Sequence, residues 1–400
     1  MTFQAPRGTF DILPEDQRYW RFVQGKARET ALRFGYRRID TPVFEDARLF
    51  ARGVGDTTDI VEKQTYTFED RGGDNVTLRP EGTAPVCRAY LENGMHNLPQ
   101  PVRMYYFCPI FRYERPQAGR FREHHQFGLE AIGDADPSVD AEVVDFAWQL
   151  VMSLGLRDVN IFLNSIGDSQ CRPDYVAGLA AYYSRHLDKL CPDCKIRIDR
   201  TPLRLLDCKV ETCRALGDDA PRSADHLCED CLEHWNKLQG YLRGMGIPFQ
   251  VDHRLVRGLD YYSRTVFEIQ PSVGGSQSTI IGGGRYDRLI EQLGGRPTPG
   301  IGFGSGMERL TLNLKSSGVA VPDEASPTYL VANVGNDARP AALELAAKLR
   351  NAGVGAILSS GSRALRGQMR QANALEIPYA LILGDDEIAK GEVVIRDMNA

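Results

Sequence analysis

The sequence predicts an α+β fold: an antiparallel sheet flanked by helices, interrupted by a helical insertion and followed by a C-terminal α/β domain. Three observations predict it. A long amphipathic helix opens the chain, the stretch from Phe68 to Ile132 alternates with a period of two, and beyond Thr328 short aliphatic runs are separated by helical patterns. At 400 residues the chain has room for two or three domains with substantial cores.

The first element runs from about Glu15 to Phe34. Pro14 suits a first helical turn, Gly35 a stop, and Trp20, Val23, Ala27 and Ala31 are spaced three and four apart to make one buried face. Tyr36 to Ile39 is extended and is broken by Pro42. Val76–Arg79, Arg103–Cys108 and the alternation around Ile110–Glu114 read as strands of one antiparallel sheet, followed by a helix at Asp140–Leu154 and a strand at Val159–Ser165. Residues 171–247 change character: helical in pattern, cysteine-bearing and interrupted by Pro192, Pro202 and Pro221. They read as a module inserted into a domain made of residues 1–170 and 248–318. Strands return at Phe249–Leu255, Thr265–Gln270 and Ser278–Gly282, and a helix starts near Gly306. Residues 319–327 are a linker. Residues 328–400 form βαβ units, with strands at Tyr329–Val334, Gly355–Leu358 and Tyr379–Leu383.

Lys plus Arg is 48 against 53 for Asp plus Glu, net −5, so any polyanion site must be a local cluster. No apolar run reaches the roughly 18 residues that span a bilayer, which excludes a membrane partner of that kind. Nine cysteines cannot all pair within one chain and read as reduced thiols of a cytoplasmic protein.

Five segments and a set of cysteines carry chemistry. In Phe111–Glu130, Arg112 and Glu114 are expected on one face of a strand, Arg115, Arg120 and Arg122 around a loop broken by Pro116 and Gly119, and Gln126, Gly128 and Glu130 on one face of the returning strand beyond His124 and His125. Facing rows of cations and carboxylates suit a substrate with a triphosphate at one end and a polar group at the other; a solvated hairpin with cross-strand ion pairs is the alternative. In Leu78–Pro85, Glu81 and Thr83 can bind an ammonium, or Thr83 can cap the helix that follows. In Val256–Glu268, Arg257 can clamp an anionic transition state and Tyr262 can offer a hydroxyl to a polar ring; Asp260 could instead neutralise Arg257, and Tyr261 could be core. The glycines of Gly282–Gly284 and Gly300–Arg309 leave backbone open to close approach, as when something flat lies across a bare strand, or serve strand–helix packing; the Walker spacing is absent. Cys191, Cys194, Cys228 and Cys231 form two CxxC pairs that suit Zn2+, but the gap between them is long and Cys208 and Cys213 make six, which favours buried thiols.

Taken together these segments resemble the class II aminoacyl-tRNA synthetases, and among them the histidyl-tRNA synthetase family, from about Arg7 to Asp397. The resemblance implies a class II catalytic domain, an anticodon-binding-like domain at 328–400, ATP and Mg2+ as cofactors, L-histidine and tRNA(His) as partners, and a homodimer built on the helix and the Pro42 segment. It implies that Arg112 holds the α-phosphate and the amino-acid carboxylate, Glu114 and His124 the adenine, and Arg120 and Arg309 the outer phosphates. Glu81, Thr83 and Gln126 would bind the ammonium, Glu130 and Tyr262 the imidazole with Tyr261 beside them, and Arg257 the charge developing at phosphorus. His124 stands where the family often carries another aromatic residue, and the chain stops before the family's closing helix, so a truncated last domain is expected. The rival implication is a non-catalytic ATP-phosphoribosyltransferase regulatory subunit that binds histidine. Such relatives typically lack the Arg257 signature and the carboxyl domain, and both are present here.

Overall fold

In a computed structural model of the chain, residues 3–54, 64–114, 121–272, 279–323, 327–335, 338–359 and 363–399 are described. They form two compact units, Met1–Val321 and Pro322–Ala400.

The first unit is built on an eight-stranded sheet. Its strands are β1 (Arg37–Arg38), β5 (Val102–Phe111), β6 (Glu123–Ile132), β7 (Val159–Ser165), β8 (Gln250–Val251), β9 (Ser263–Pro271), β10 (Ile281–Arg285) and β11 (Gly300–Gly306), in the spatial order β1-β5-β6-β11-β10-β9-β7-β8. All pairings are antiparallel except β1 with β5 and β7 with β8. Those two edge strands are reached by long crossovers, which deliver a parallel neighbour. The sheet is therefore mixed at its margins and antiparallel where the glycines lie. The strand expected at Val76–Arg79 is β4 (Asn75–Leu78), but it belongs to a separate three-stranded sheet between β2 (Phe44–Asp46) and β3 (Tyr66–Glu69). The expected Phe249–Leu255 strand shrinks to β8, and Ser278 lies outside the described residues.

One face of the large sheet is apolar. Phe127, Leu129 and Ala131 of β6 and Ile301 and Phe303 of β11 pack on the helices Pro14–Arg33 and Pro137–Ser153, which contribute Trp20, Val23, Ala27 and Ala31 and Phe146 and Leu150. Because side chains alternate, the residues between them face the other way. Residues 171–247 supply helices Arg172–Ser184, Pro192–Arg200, Glu211–Asp218 and Glu229–Gly244. The last of these joins the main core through Trp235, Leu238 and Leu242.

The second unit has a four-stranded sheet, with β12 (Tyr329–Asn333) parallel to β13 (Ala356–Leu358) and β14 (Tyr379–Leu383), and β15 (Val394–Asp397) antiparallel to β14. Helix Ala338–Asn351 covers it through Ala342 and Ala346. Among the described residues no helix is long and apolar enough to cross a membrane.

Candidate active site

The polar face of the sheet is paved with glycine. Across β6, β11 and β10, Glu130 lies opposite Gly302, which lies opposite Gly284; Gly128 lies opposite Gly304, which lies opposite Gly282. A methyl group on Gly302 would strike the Glu130 carboxylate, on Gly304 the Gln126 amide, on Gly128 the Tyr106 ring, on Gly282 the Arg257 guanidinium, and on Gly284 the Tyr262 ring. The face expected to be bare is therefore already covered, by the protein's own side chains laid flat on backbone.

Glu130 is fully buried at the centre. Its Oε1 accepts hydrogen bonds from Thr83 Oγ1 at 2.8 Å and Tyr106 OH at 3.0 Å, and its Oε2 from Tyr286 OH at 2.6 Å. Burial nevertheless pushes its carboxyl up to about 8, against the pull of these hydroxyls. Glu81 accepts the backbone N–H groups of Thr83 and Ala84, each at 2.7 Å, at the start of helix Thr83–Glu92. The cap is thus Glu81, which frees the Thr83 hydroxyl for Glu130. Tyr261 OH reaches Glu81 Oε2 at 3.4 Å, and the Tyr262 hydroxyl receives the Arg257 guanidinium.

Beside this buried cluster opens a cleft of about 900 Å³, lined by Arg112, Glu114, His124, Gln126, Arg257 and Arg309 among others. Arg112 and Glu114 do not continue the strand as expected. Arg112 N–H still pairs with Arg122 O at 2.8 Å, but Tyr113 N–H turns to Gln64 O at 2.7 Å, and Glu114 N–H closes a tight turn onto Arg112 O. That turn carries both side chains to the cleft wall. Arg112 Nε donates to Pro80 O at 2.7 Å. Arg257 forms an ion pair with Glu268, and its buried Nε has no partner. Gln126 Oε1 is likewise buried without a partner. Desolvation, with Arg112, His125 and Arg309 nearby, holds the His124 ring down at about 3, so it is neutral at pH 7. Arg309 Nη1 donates to Thr279 O at 2.9 Å, while Glu308 Oε1 accepts the His125 N–H at 2.8 Å. Arg120 lies outside the described residues, as does Arg115.

Residues 8–168 and 200–310 match the family described as histidyl-tRNA synthetase, and residues 328–400 match the anticodon binding domain. A histidine–tRNA ligase of Dehalococcoides mccartyi is 58% identical over 396 residues, covering 99% of this chain and 95% of that one. The chain belongs to the histidyl-tRNA synthetase family. It is a class II aminoacyl-tRNA synthetase, and its fold is that of the solved apo histidyl-tRNA synthetase of S. aureus: TM-score 0.80 and 36% identity over 100% of this chain and 98% of that one. A Bacillus halodurans protein described as an ATP phosphoribosyltransferase regulatory subunit/histidyl-tRNA synthetase aligns over 96% of this chain and 99% of its own with TM-score 0.69. At 23% identity it shares the fold alone.

In this synthetase three contributors escaped the sequence reading: Tyr106, Tyr286 and Glu268. Tyr286 follows closely on the glycines Gly282–Gly284, yet nothing local says that its hydroxyl meets a carboxylate 156 residues away. Strand alternation could have flagged Glu268, which shares the pocket face with Gly282. The two CxxC pairs do not come together. Cys191 and Cys194 gather with Cys208 and Cys213, whereas Cys228 and Cys231 gather with Asp168 and Cys171, so the four outer cysteines share no site. Each CxxC opens a different helix, Pro192–Arg200 and Glu229–Gly244, which keeps them apart.

Proposed function

We propose that this cleft activates L-histidine with ATP and passes the histidyl group to tRNA(His), with the pocket side chains in the following roles. The single observation that carries the reading is the convergence of Arg112, Arg257, Gln126 and Arg309 on one cleft beside a buried Glu130. The histidine carboxylate oxygen attacks the α-phosphorus, a new O–P bond forms, and pyrophosphate leaves with the electrons of the broken P–O bond. Arg112 and Arg257 bring guanidiniums to the same cleft and offset the charge that builds on phosphorus; no covalent enzyme intermediate is needed. The unpartnered Gln126 Oε1 is an acceptor ready for an ammonium, and the buried Glu81 carboxylate, close to Arg112, is the charge to pair with it. Glu130 and the Tyr262 hydroxyl offer an acceptor and a donor–acceptor for the two imidazole nitrogens, with Thr83 fixing the Glu130 carboxylate and Tyr261 that of Glu81. The neutral His124 ring is a platform for adenine, with Glu114 at its edge, and Arg309 and Arg120 meet the outer phosphates.

Mg2+ fits the same region: Glu308 Oε2 is buried in the cleft wall without a partner, which makes Glu308 the residue to hold it. When bound, Mg2+ neutralises charge on the outer phosphates. The binding domain at 328–400 would read the anticodon. A homodimer, working in the cytoplasm, is part of the same proposal; exposed Leu32, Val43 and Phe44 beside the first helix support a partner surface there.

Histidine-dependent exchange of labelled pyrophosphate into ATP tests the reading. The parent is expected to exchange, and Arg257→Ala to lose on the order of 10²- to 10³-fold in kcat, the scale of removing one preorganised charge donor. A parent that binds histidine but never exchanges would replace this reading with the regulatory one.

A further inference from the structure

The cleft wall contributed by residues 204–214 rests on four sulfurs. Cys191, Cys194, Cys208 and Cys213 place their Sγ atoms all within 4.8 Å of one another, and Cys191 Sγ stands 3.9 Å from Cys208 Sγ. A disulfide would need about 2.05 Å. A tetrahedron with Zn–S bonds of about 2.3 Å has edges of about 3.8 Å. Four thiols spread through an apolar core would each meet carbon; here they meet one another. Their placement has local causes. Cys191 is the residue before helix Pro192–Arg200 and Cys194 sits in its first turn, so a CxxC loop turns both sulfurs inward. Cys213 lies in the first turn of helix Glu211–Asp218, and Cys208 ends the turn that follows Pro202–Leu205. The backbone N–H of Cys191 donates to Cys213 Sγ at 3.2 Å, the kind of outer contact that supports a metal-bound thiolate.

We propose that these four cysteines are a structural Zn2+ site that staples this wall of the cleft. Both ends of the staple matter. Cys208 itself lines the cleft, with Arg204, Lys209 and Arg214 around it, so the metal would fix a cationic surface facing the nucleotide-binding face. Residues 201–210 carry no regular element beyond the short turn Pro202–Leu205, and besides Cys208 only Leu205 and Leu206 are buried in the apolar core, so a metal link would add to a sparse hold. Four soft ligands with no open position select a closed tetrahedral ion and leave it without catalytic water. The second group is a poorer cage. Asp168 is already engaged, its Oδ1 by Gln170 N–H at 2.9 Å and its Oδ2 by Arg264 at 3.2 Å. The proposal therefore assigns one metal per chain.

Metal analysis of the purified full-length protein tests it, together with replacement of Zn2+ by Co2+. The expected result is one equivalent of zinc and, after exchange, the visible absorption of a tetrahedral tetrathiolate Co2+ site. Cys194→Ser and Cys213→Ser are expected to lose that spectrum, and Cys231→Ser to keep it. Because a serine variant could fail to fold, thiol alkylation of the parent supplies a second readout: Cys191 should resist modification until a chelator is added. Zinc-free protein that stays metal-free on dialysis against Zn2+ would overturn the assignment. So would a Co2+ spectrum abolished by Cys231→Ser and retained by Cys194→Ser, or alkylation of Cys191 that ignores the chelator.

Discussion

Glu130 holds three hydroxyls on two oxygens, yet burial keeps its proton on up to about pH 8. A ligand nitrogen that donates to this carboxylate selects the ionised form, so below pH 8 histidine binding must expel a proton. Affinity should rise as pH climbs from 6 toward 8, a window that extends above the ordinary imidazole value of about 6.5. Calorimetry of histidine binding in buffers of different ionisation enthalpy checks this: the parent should show a buffer-dependent heat, and Glu130→Gln should show none. The same variant should bind histidine on the order of 10²-fold more weakly, because an amide offers one acceptor where the carboxylate has two. A parent with buffer-independent heats would refute the coupling. Glu130 itself was visible in the sequence, since Phe127, Leu129 and Ala131 alternate with it and only one face of a strand can be wet. Its hydroxyl partners were not visible, because they arrive from other strands and register is not written in local pattern.

At the scale of elements, β10 is tied to the helices behind the sheet by charge. Arg285 is fully buried at its end and forms an ion pair with the equally buried Asp140 of helix Pro137–Ser153. Asp140 Oδ2 also accepts Thr265 Oγ1 and lies 2.8 Å from His234 Nε2, which brings in β9 and helix Glu229–Gly244. Burial alone would raise Asp140, but Arg285 and His234 together outweigh it and hold the carboxyl at about 2. The folded value is depressed, so this stabilisation is present above the ordinary carboxylate value near 4 and is lost as pH falls from there toward 2. Asp140→Asn takes the one buried carboxylate from Arg285, leaving its Nη1 on the part-exposed Asp287 and on Asp134 O, and should cost about 3–5 kcal/mol in denaturant unfolding, with a flatter loss of stability on acidification. A cost under about 1 kcal/mol would mean that water reaches Arg285. Sequence alone presented Arg285 as part of a glycine-rich ligand loop; its inward role became readable only from the pairing of β10 with β9, whose register shifts between Gly284 and Arg285.

On the scale of the whole molecule, the two compact units divide at Val321, and the pocket described above lies wholly in the first. A chain ended at Val321 should retain histidine-dependent pyrophosphate exchange within about tenfold and lose tRNA charging by at least on the order of 10²-fold, since phosphate contacts alone give weak, non-specific binding. Parallel exchange and charging assays check this, and equal loss of both would assign the second unit a part in activation. The division into units was legible from the Pro322 linker and the change to βαβ pattern, because composition and periodicity shift together there. The strand order of the large sheet was not. β11, its last strand in the chain, sits between β6 and β10, with every earlier strand of the sheet already made. A growing polypeptide that has left the ribosome only as far as Tyr286 therefore owns Glu130, Tyr262 and Tyr286 but not the central strand on which they assemble. Occupancy by histidine can begin only once Gly306 has emerged, and the amino acid then rewards completion of the sheet rather than its initiation.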